Sequence, residues 1–156
     1  MTKWKPAASV IVPLGKRIVG ITRGRNMQDV NFPGGRADPD DPSPQFTACR
    51  ELYEETGIKV LPDDLEEILV REDGAHFTYL AHRTVHFPGH LYSKPFEGFA
   101  ALYPPWSLLA PTCTYRNTAS EAFRRLASAA TPVQHGLRGF SKQVPSGRKQ
   151  GYARRA

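Results

Sequence analysis

Cysteine is nearly absent from this chain, with Cys49 and Cys113 the only two. Two thiols form at most one disulfide and do not complete a zinc site alone, so a disulfide scaffold and an all-cysteine zinc site are both excluded. Cys49, next to a run of charged residues, reads as a small buried side chain rather than a nucleophile. No apolar run approaches the ~18–20 residues of a membrane span. The stretch Trp4-Lys5-Pro6 before Val10-Ile11-Val12 also lacks a secretory pattern. A reduced, cytoplasmic setting without a membrane partner is the expectation.

Acidic residues are missing after Glu121, whereas Arg138, Lys142, Arg148, Lys149, Arg154 and Arg155 all lie beyond residue 130. Those six cations account for the net charge of +6, and the other 15 basic residues match the 15 acidic ones. The body is therefore neutral. Residues 131–156, rich in Gly, Ser, Pro and Gln, read as a weakly ordered basic tail, with RNA or another polyanion as the partner its charge suits. The length of 156 residues accommodates one domain, expected over 1–130, as a monomer or homodimer. Histidines are few, and the triplet His82, His86 and His90 is embedded among Tyr79, Val85, Phe87 and Pro88-Gly89. Strand and turn residues break the helix face that such spacing would need for zinc.

What the chain does have is a concentration of carboxylate. Arg50-Glu51-Leu52-Tyr53-Glu54-Glu55-Thr56-Gly57-Ile58 places Glu51, Glu54 and Glu55 on one helical turn. Residues three and four apart on a helix are roughly 5–6 Å apart, and like charges there cost roughly 0.2–0.5 kcal/mol per pair. Hard divalent cations with oxygen ligands relieve such repulsion. Pro33-Gly34-Gly35 reads as a tight turn exposing carbonyl oxygens, Ser43-Pro44 or Asp41-Pro42 as the helix start, and Gly57 as its left-handed stop.

Gly-Gly, a loop, then Arg-Glu-Leu-X-Glu-Glu-X-Gly-Ile resembles the box of the Nudix hydrolases. That resemblance implies an α/β/α sandwich around a mixed, curved sheet. It also implies Mg²⁺- or Mn²⁺-dependent hydrolysis of a nucleoside diphosphate linked to another group. The ligand set it implies is Glu51, Glu54, Glu55 and the Gly34 carbonyl, with Arg50 orienting the carboxylates. Glu97, before Trp106-Ser107-Leu108, is similar in place to a further metal-binding or base glutamate, and either Glu54 or Glu97 is the base for water. The stretch between Gly35 and Arg50 is one residue longer than the family pattern, and Pro42 stands where its first glutamate belongs. Asp41 or Asp40 is then the nearest acid. The run Gly34 to Asp41 resembles the coenzyme A pyrophosphatase branch. Arg23, Arg25 and Phe32 are the candidate contacts to a nucleotide, coenzyme A or capped-RNA substrate. A non-catalytic module that binds nucleotide or RNA is the alternative, supported by Pro42.

Around the box, Ala8 to Leu14 and Arg17 to Thr22 read as strands split by Gly15-Lys16. Glu66 to Arg71, Ala75 to Phe87 and Pro95 to Tyr103 follow as strands, the first two joined at Asp73-Gly74. Thr118 to Ala130 carries Ala122, Phe123 and Leu126 at helical spacing.

Overall fold

The structure, a computed structural model, describes residues 5–94 and 96–141. Its strands are β1 (Ala7–Ile11), β2 (Pro13–Leu14), β3 (Arg17–Arg23), β4 (Asn26–Asn31), β5 (Gly34–Arg36), β6 (Leu65–Val70), β7 (His76–Ala81), β8 (Ser93–Lys94) and β9 (Gly98–Tyr103). The helices are α1 (Pro44–Thr56) and α2 (Arg116–Ser141). One sheet has the order β5-β1-β7-β6 and mixes directions, since β1 runs parallel to β7 and antiparallel to β5. The second has the order β2-β3-β9-β8, with β4 also paired to β3.

Period-2 alternation in β1 assigns the two layers. Ala8, Val10 and the following Val12 are buried with Ala48 and Leu52 of α1, while Ile11 joins Ala119 and Ala122 of α2 in a second cluster. The face carrying Ala7 and Ser9 is therefore the one that looks away from α1. Register adds neighbours to it: Ala7 lies between Arg36 and His76, and Ser9 between Gly34 and Thr78.

Helix α1 has the ends its sequence specifies. The Ser43 hydroxyl accepts the Phe46 N–H at 3.2 Å, Pro44 opens the first turn, and Gly57 at φ 78° donates its N–H to the Tyr53 carbonyl at 2.8 Å. Only glycine suits that last position. A Cβ there would also meet the Tyr92 ring at 2.9 Å.

Several expectations are corrected. Gly34-Gly35 belongs to strand β5, not to a turn, and neither glycine has positive φ. β4 is a strand without a β-branched run, formed because it extends the β3 edge after a turn at Gly24, φ 58°. β7 ends at Ala81 rather than Phe87, and His86 instead pairs with Lys59 in an isolated bridge. Glu97 precedes β9 in a turn, where its N–H bonds the Lys94 carbonyl at 3.0 Å. α2 continues past Ala130 to Ser141, so the expected boundary at 130 falls within a helix. Val133, Leu137 and Phe140 recur at helical spacing there, a signal masked by Pro132, Gly136 and Gly139. The tail cations Lys142, Arg148, Lys149, Arg154 and Arg155 lie outside the described residues. No helix among the described residues is long and apolar enough to cross a membrane.

Candidate active site

Arg50 is the hub of the acidic helix. Its Nη1 lies 3.1 Å from Glu54 Oε2 and 3.1 Å from Glu51 Oε1, so one guanidinium holds two of the three box carboxylates. Its other edge is held in turn by Asp41. Nη2 donates to Asp41 Oδ2 at 2.9 Å, Nε to Oδ1 at 3.1 Å, and Nη2 also to the Arg36 carbonyl at 3.0 Å. The Asp41 side chain is only 3% exposed and accepts further bonds from the Asp38 N–H and the Thr47 hydroxyl, each at 2.9 Å. The Arg50 hydrogen bond, helped by those donors, holds the Asp41 carboxyl below its ordinary range. Of the two acids near Pro42, then, Asp41 grips Arg50, whereas Asp40 is exposed.

Glu55 stands apart from this clasp. Its Oε2 accepts the Gly34 N–H at 2.9 Å, which ties the end of α1 to β5. Burial, reinforced by the neighbouring Glu51 and Glu97 charges, pushes its pKa up to about 8. Burial also raises Glu51, against the pull of Arg50. Gly35 makes the packing of Glu51 possible: a Cβ there would sit 2.5 Å from the Glu51 carboxylate carbon. A Cβ on Gly34 would lie 2.3 Å from the Ala8 carbonyl oxygen. The glycine pair serves close approach rather than a turn.

Glu55 and Glu97 line one cavity of ≈ 260 Å³ together with Arg23, Arg36 and Phe32. Glu97 pairs with Lys94 at 3.1 Å. Phe32 is 8% exposed and meets Phe123 edge-on at 5.7 Å, so it is a core anchor, not an open stacking face. Arg23 lines the cavity and donates to the Thr114 hydroxyl at 3.2 Å. Arg25 points elsewhere, over the Phe96 ring at 5.8 Å. Among the described residues no three acidic, histidine or cysteine side chains are gathered closely enough to ligate one ion. Arg50 occupies Glu51 and Glu54, and Lys94 occupies Glu97.

The donor set nevertheless fits a hard cation. Glu55 is a half-buried carboxylate that accepts the Gly34 N–H, and Glu51 packs against a glycine that leaves its oxygens uncovered by any Cβ. Sequence reasoning missed the residues that close the cavity on the α2 side, namely Ser9, Asn31, His76 and Tyr115. They are scattered between residues 9 and 115, and no local pattern marks them.

A mixed sheet flanked by helices, with an acidic helix that brings Glu55 to a cavity also lined by Glu97, Arg23 and Arg36, defines a class, the Nudix pyrophosphohydrolase fold. The chain belongs to the Nudix family, whose NUDIX domain model matches residues 3–114. It is similar to the mitochondrial coenzyme A diphosphatase NUDT8 of Mus musculus, 40% identical over 68 residues, which cover 35% of this chain and 30% of the mouse protein. The matched region is thus under a third of that relative's length. Among solved structures it resembles a MutT Nudix hydrolase from Burkholderia pseudomallei, with TM-score 0.58 and 23% identity over 76% of this chain and 96% of that one. An ADP-ribose pyrophosphatase from Streptococcus suis aligns with TM-score 0.58 and 15% identity over 81% of this chain and 92% of that one. At these identities the structural likeness speaks to fold.

Proposed function

We propose that the protein hydrolyses the pyrophosphate bond of a nucleoside diphosphate linked to another group, with Mg²⁺ or Mn²⁺ held by Glu51, Glu54, Glu55 and the Gly34 carbonyl. The observation that carries this reading is the half-buried Glu55 carboxylate at the edge of a cavity also lined by Glu97, Arg23 and Arg36. Such an ion would screen the phosphate oxygens and make water more acidic.

The chain's own groups do the rest. Arg50, fixed by Asp41, positions Glu51 and Glu54. Arg23 and Arg36 supply positive charge to the phosphates. Both glutamates are ion-paired, Glu97 to Lys94 and Glu54 to Arg50, but Glu97 is the better-placed base because it lines the cavity and Glu54 does not. Water adds to one phosphorus, its proton passes to Glu97, and the bridging P–O bond breaks to give two phosphate monoesters or their equivalents. The Arg50–Asp41 clasp supports catalysis over a non-catalytic binding module, since it supplies the contact that Pro42 cannot. Free thiols at Cys49 and Cys113 are compatible with a reducing cytoplasm.

The test is incubation with Mg²⁺ or Mn²⁺ and a panel of dNTPs, ADP-ribose, dinucleoside polyphosphates, coenzyme A and capped RNA, with products resolved by chromatography. Metal-dependent cleavage at the pyrophosphate identifies the substrate. Absence of cleavage across the panel would overturn the reading, and Glu97→Gln activity equal to the wild type would remove Glu97 as base.

A further inference from the structure

Asp29 is a buried carboxylate that the proposed chemistry does not use. It is 4% exposed and lies on β4, yet its bonds run to the segment that leads into α2. Oδ1 accepts the Thr114 N–H at 2.8 Å and the Asn31 amide at 2.9 Å, and Oδ2 accepts the Thr114 hydroxyl at 2.5 Å. That same hydroxyl accepts from Arg23 at 3.2 Å. The Tyr115 N–H then bonds Asn31 Oδ1 at 3.3 Å, and the Thr112 hydroxyl bonds the Gln28 carbonyl at 2.6 Å. Residues 112–115 are therefore strapped to β4 through side chains, not through a strand ladder.

A second buttress comes from β7. The Tyr115 ring lies 6.1 Å from the His76 ring at 56°. His76 Nε2 is 2.9 Å from the Ser9 hydroxyl, itself 3.3 Å from that of Thr78. The Tyr115 backbone is thus fixed on β4 and its ring borders that of His76, but the residue is still 48% exposed and lines the cavity that contains Glu55, Glu97 and Arg23. An exposed aromatic ring on a fixed backbone, with one ring neighbour already beside it, is placed to take a flat ligand on its open face.

We infer that Tyr115 is the surface on which the nucleobase of the substrate stacks, with Asp29 as the positioning residue that sets Tyr115 and Arg23 in place. This rests on the reading of the cavity as the site of a nucleotide hydrolase, and it narrows the substrates to those carrying an aromatic base on the half bound beside α2. Phe32, the aromatic nominated by sequence, is too buried for that task.

The experiment compares binding of AMP and ribose 5-phosphate, which share the phosphoribosyl group and differ in the base, by isothermal titration calorimetry. Stacking on an aromatic side chain supplies about tenfold or more in affinity. Wild type should bind AMP about tenfold more tightly than ribose 5-phosphate. Tyr115→Ala should bring AMP to the ribose 5-phosphate level and leave ribose 5-phosphate unchanged, and Tyr115→Phe should retain the preference. Asp29→Asn should weaken both ligands, because Arg23 is released as well. Should it fail to fold, the Tyr115 pair still decides the matter. On a cleaved substrate, Tyr115→Ala should raise KM about tenfold with little change in kcat. Equal binding of the two ligands by wild type, or an unchanged preference in Tyr115→Ala, overturns the inference. Base-independent binding with metal-dependent cleavage sinks it alone. A preference lost in Tyr115→Ala without any cleavage supports base recognition and sinks the hydrolase reading instead.

Discussion

Asp40 and Asp41 are adjacent in sequence and have opposite circumstances in the fold. One is exposed, while the other is buried against Arg50 and the α1 cap region. If Asp41 sets the arginine that sets Glu51 and Glu54, Asp41→Asn should lower kcat by roughly 10–100-fold, the usual scale for a group that orients ligands. Asp40→Asn should leave turnover unchanged, and steady-state kinetics on the best substrate compares the two. Glu55 yields a pH prediction with a definite sign. Its folded pKa, about 8, lies above the ordinary 4.5, so without metal its contribution to stability is complete below 4.5 and is lost as pH rises through about 8. A divalent cation that binds the ionised form should therefore raise the melting temperature most above about pH 8. Thermal denaturation in chelator should show a falling limb for wild type over that range, flattened in Glu55→Gln. A metal shift that is equal at all pH values would contradict the assignment.

At the scale of elements, the acidic helix and its two ends are local in origin. Ser43 and Gly57 act through hydrogen bonds to residues no more than four positions away and Pro44 through its fixed φ, which is why the sequence announces α1. β5 is different. Its Gly34-Gly35 pair reads as a turn from sequence, because glycine's usual role is conformational, but here it is the missing Cβ that matters. Gly35→Ala should displace Glu51 from its place beside β5 and weaken the metal-induced rise in melting temperature, with turnover falling by at least roughly tenfold. Metal titration followed by thermal shift tests this, and a fully retained shift would show that Glu51 is not a ligand. β4 was hidden for a related reason: its pairing is set by the neighbouring β3 edge and not by its own composition.

For the whole molecule, the charge separation between a neutral body and a basic end makes a clean cut possible. A chain truncated after Ser141 keeps every described element and loses Lys142, Arg148, Lys149, Arg154 and Arg155. It should fold with the same melting temperature and cleave small nucleotides at the same rate, since no described site residue is removed. If the tail serves RNA or another polyanion, only that binding and its salt dependence should decline. Loss of small-substrate turnover on truncation would show instead that the tail docks near the cavity.

Sequence alone determined the parts of this protein whose partners are near in the chain: the acidic turn, its caps, and the hairpin at Asp73-Gly74. It also narrowed the replacement for the family glutamate to Asp40 or Asp41. Which of the two meets Arg50 is visible only in the tertiary structure, because that contact is a hydrogen bond across nine positions to a buried carboxylate. The cavity wall was beyond sequence for the same reason. Asp29 and Thr114 are 85 positions apart, and Ser9 and His76 are 67 apart. The parallel pairing of β1 with β7 brings the second pair together and the seating of residues 112–115 on β4 the first, and no periodicity records contacts that distant.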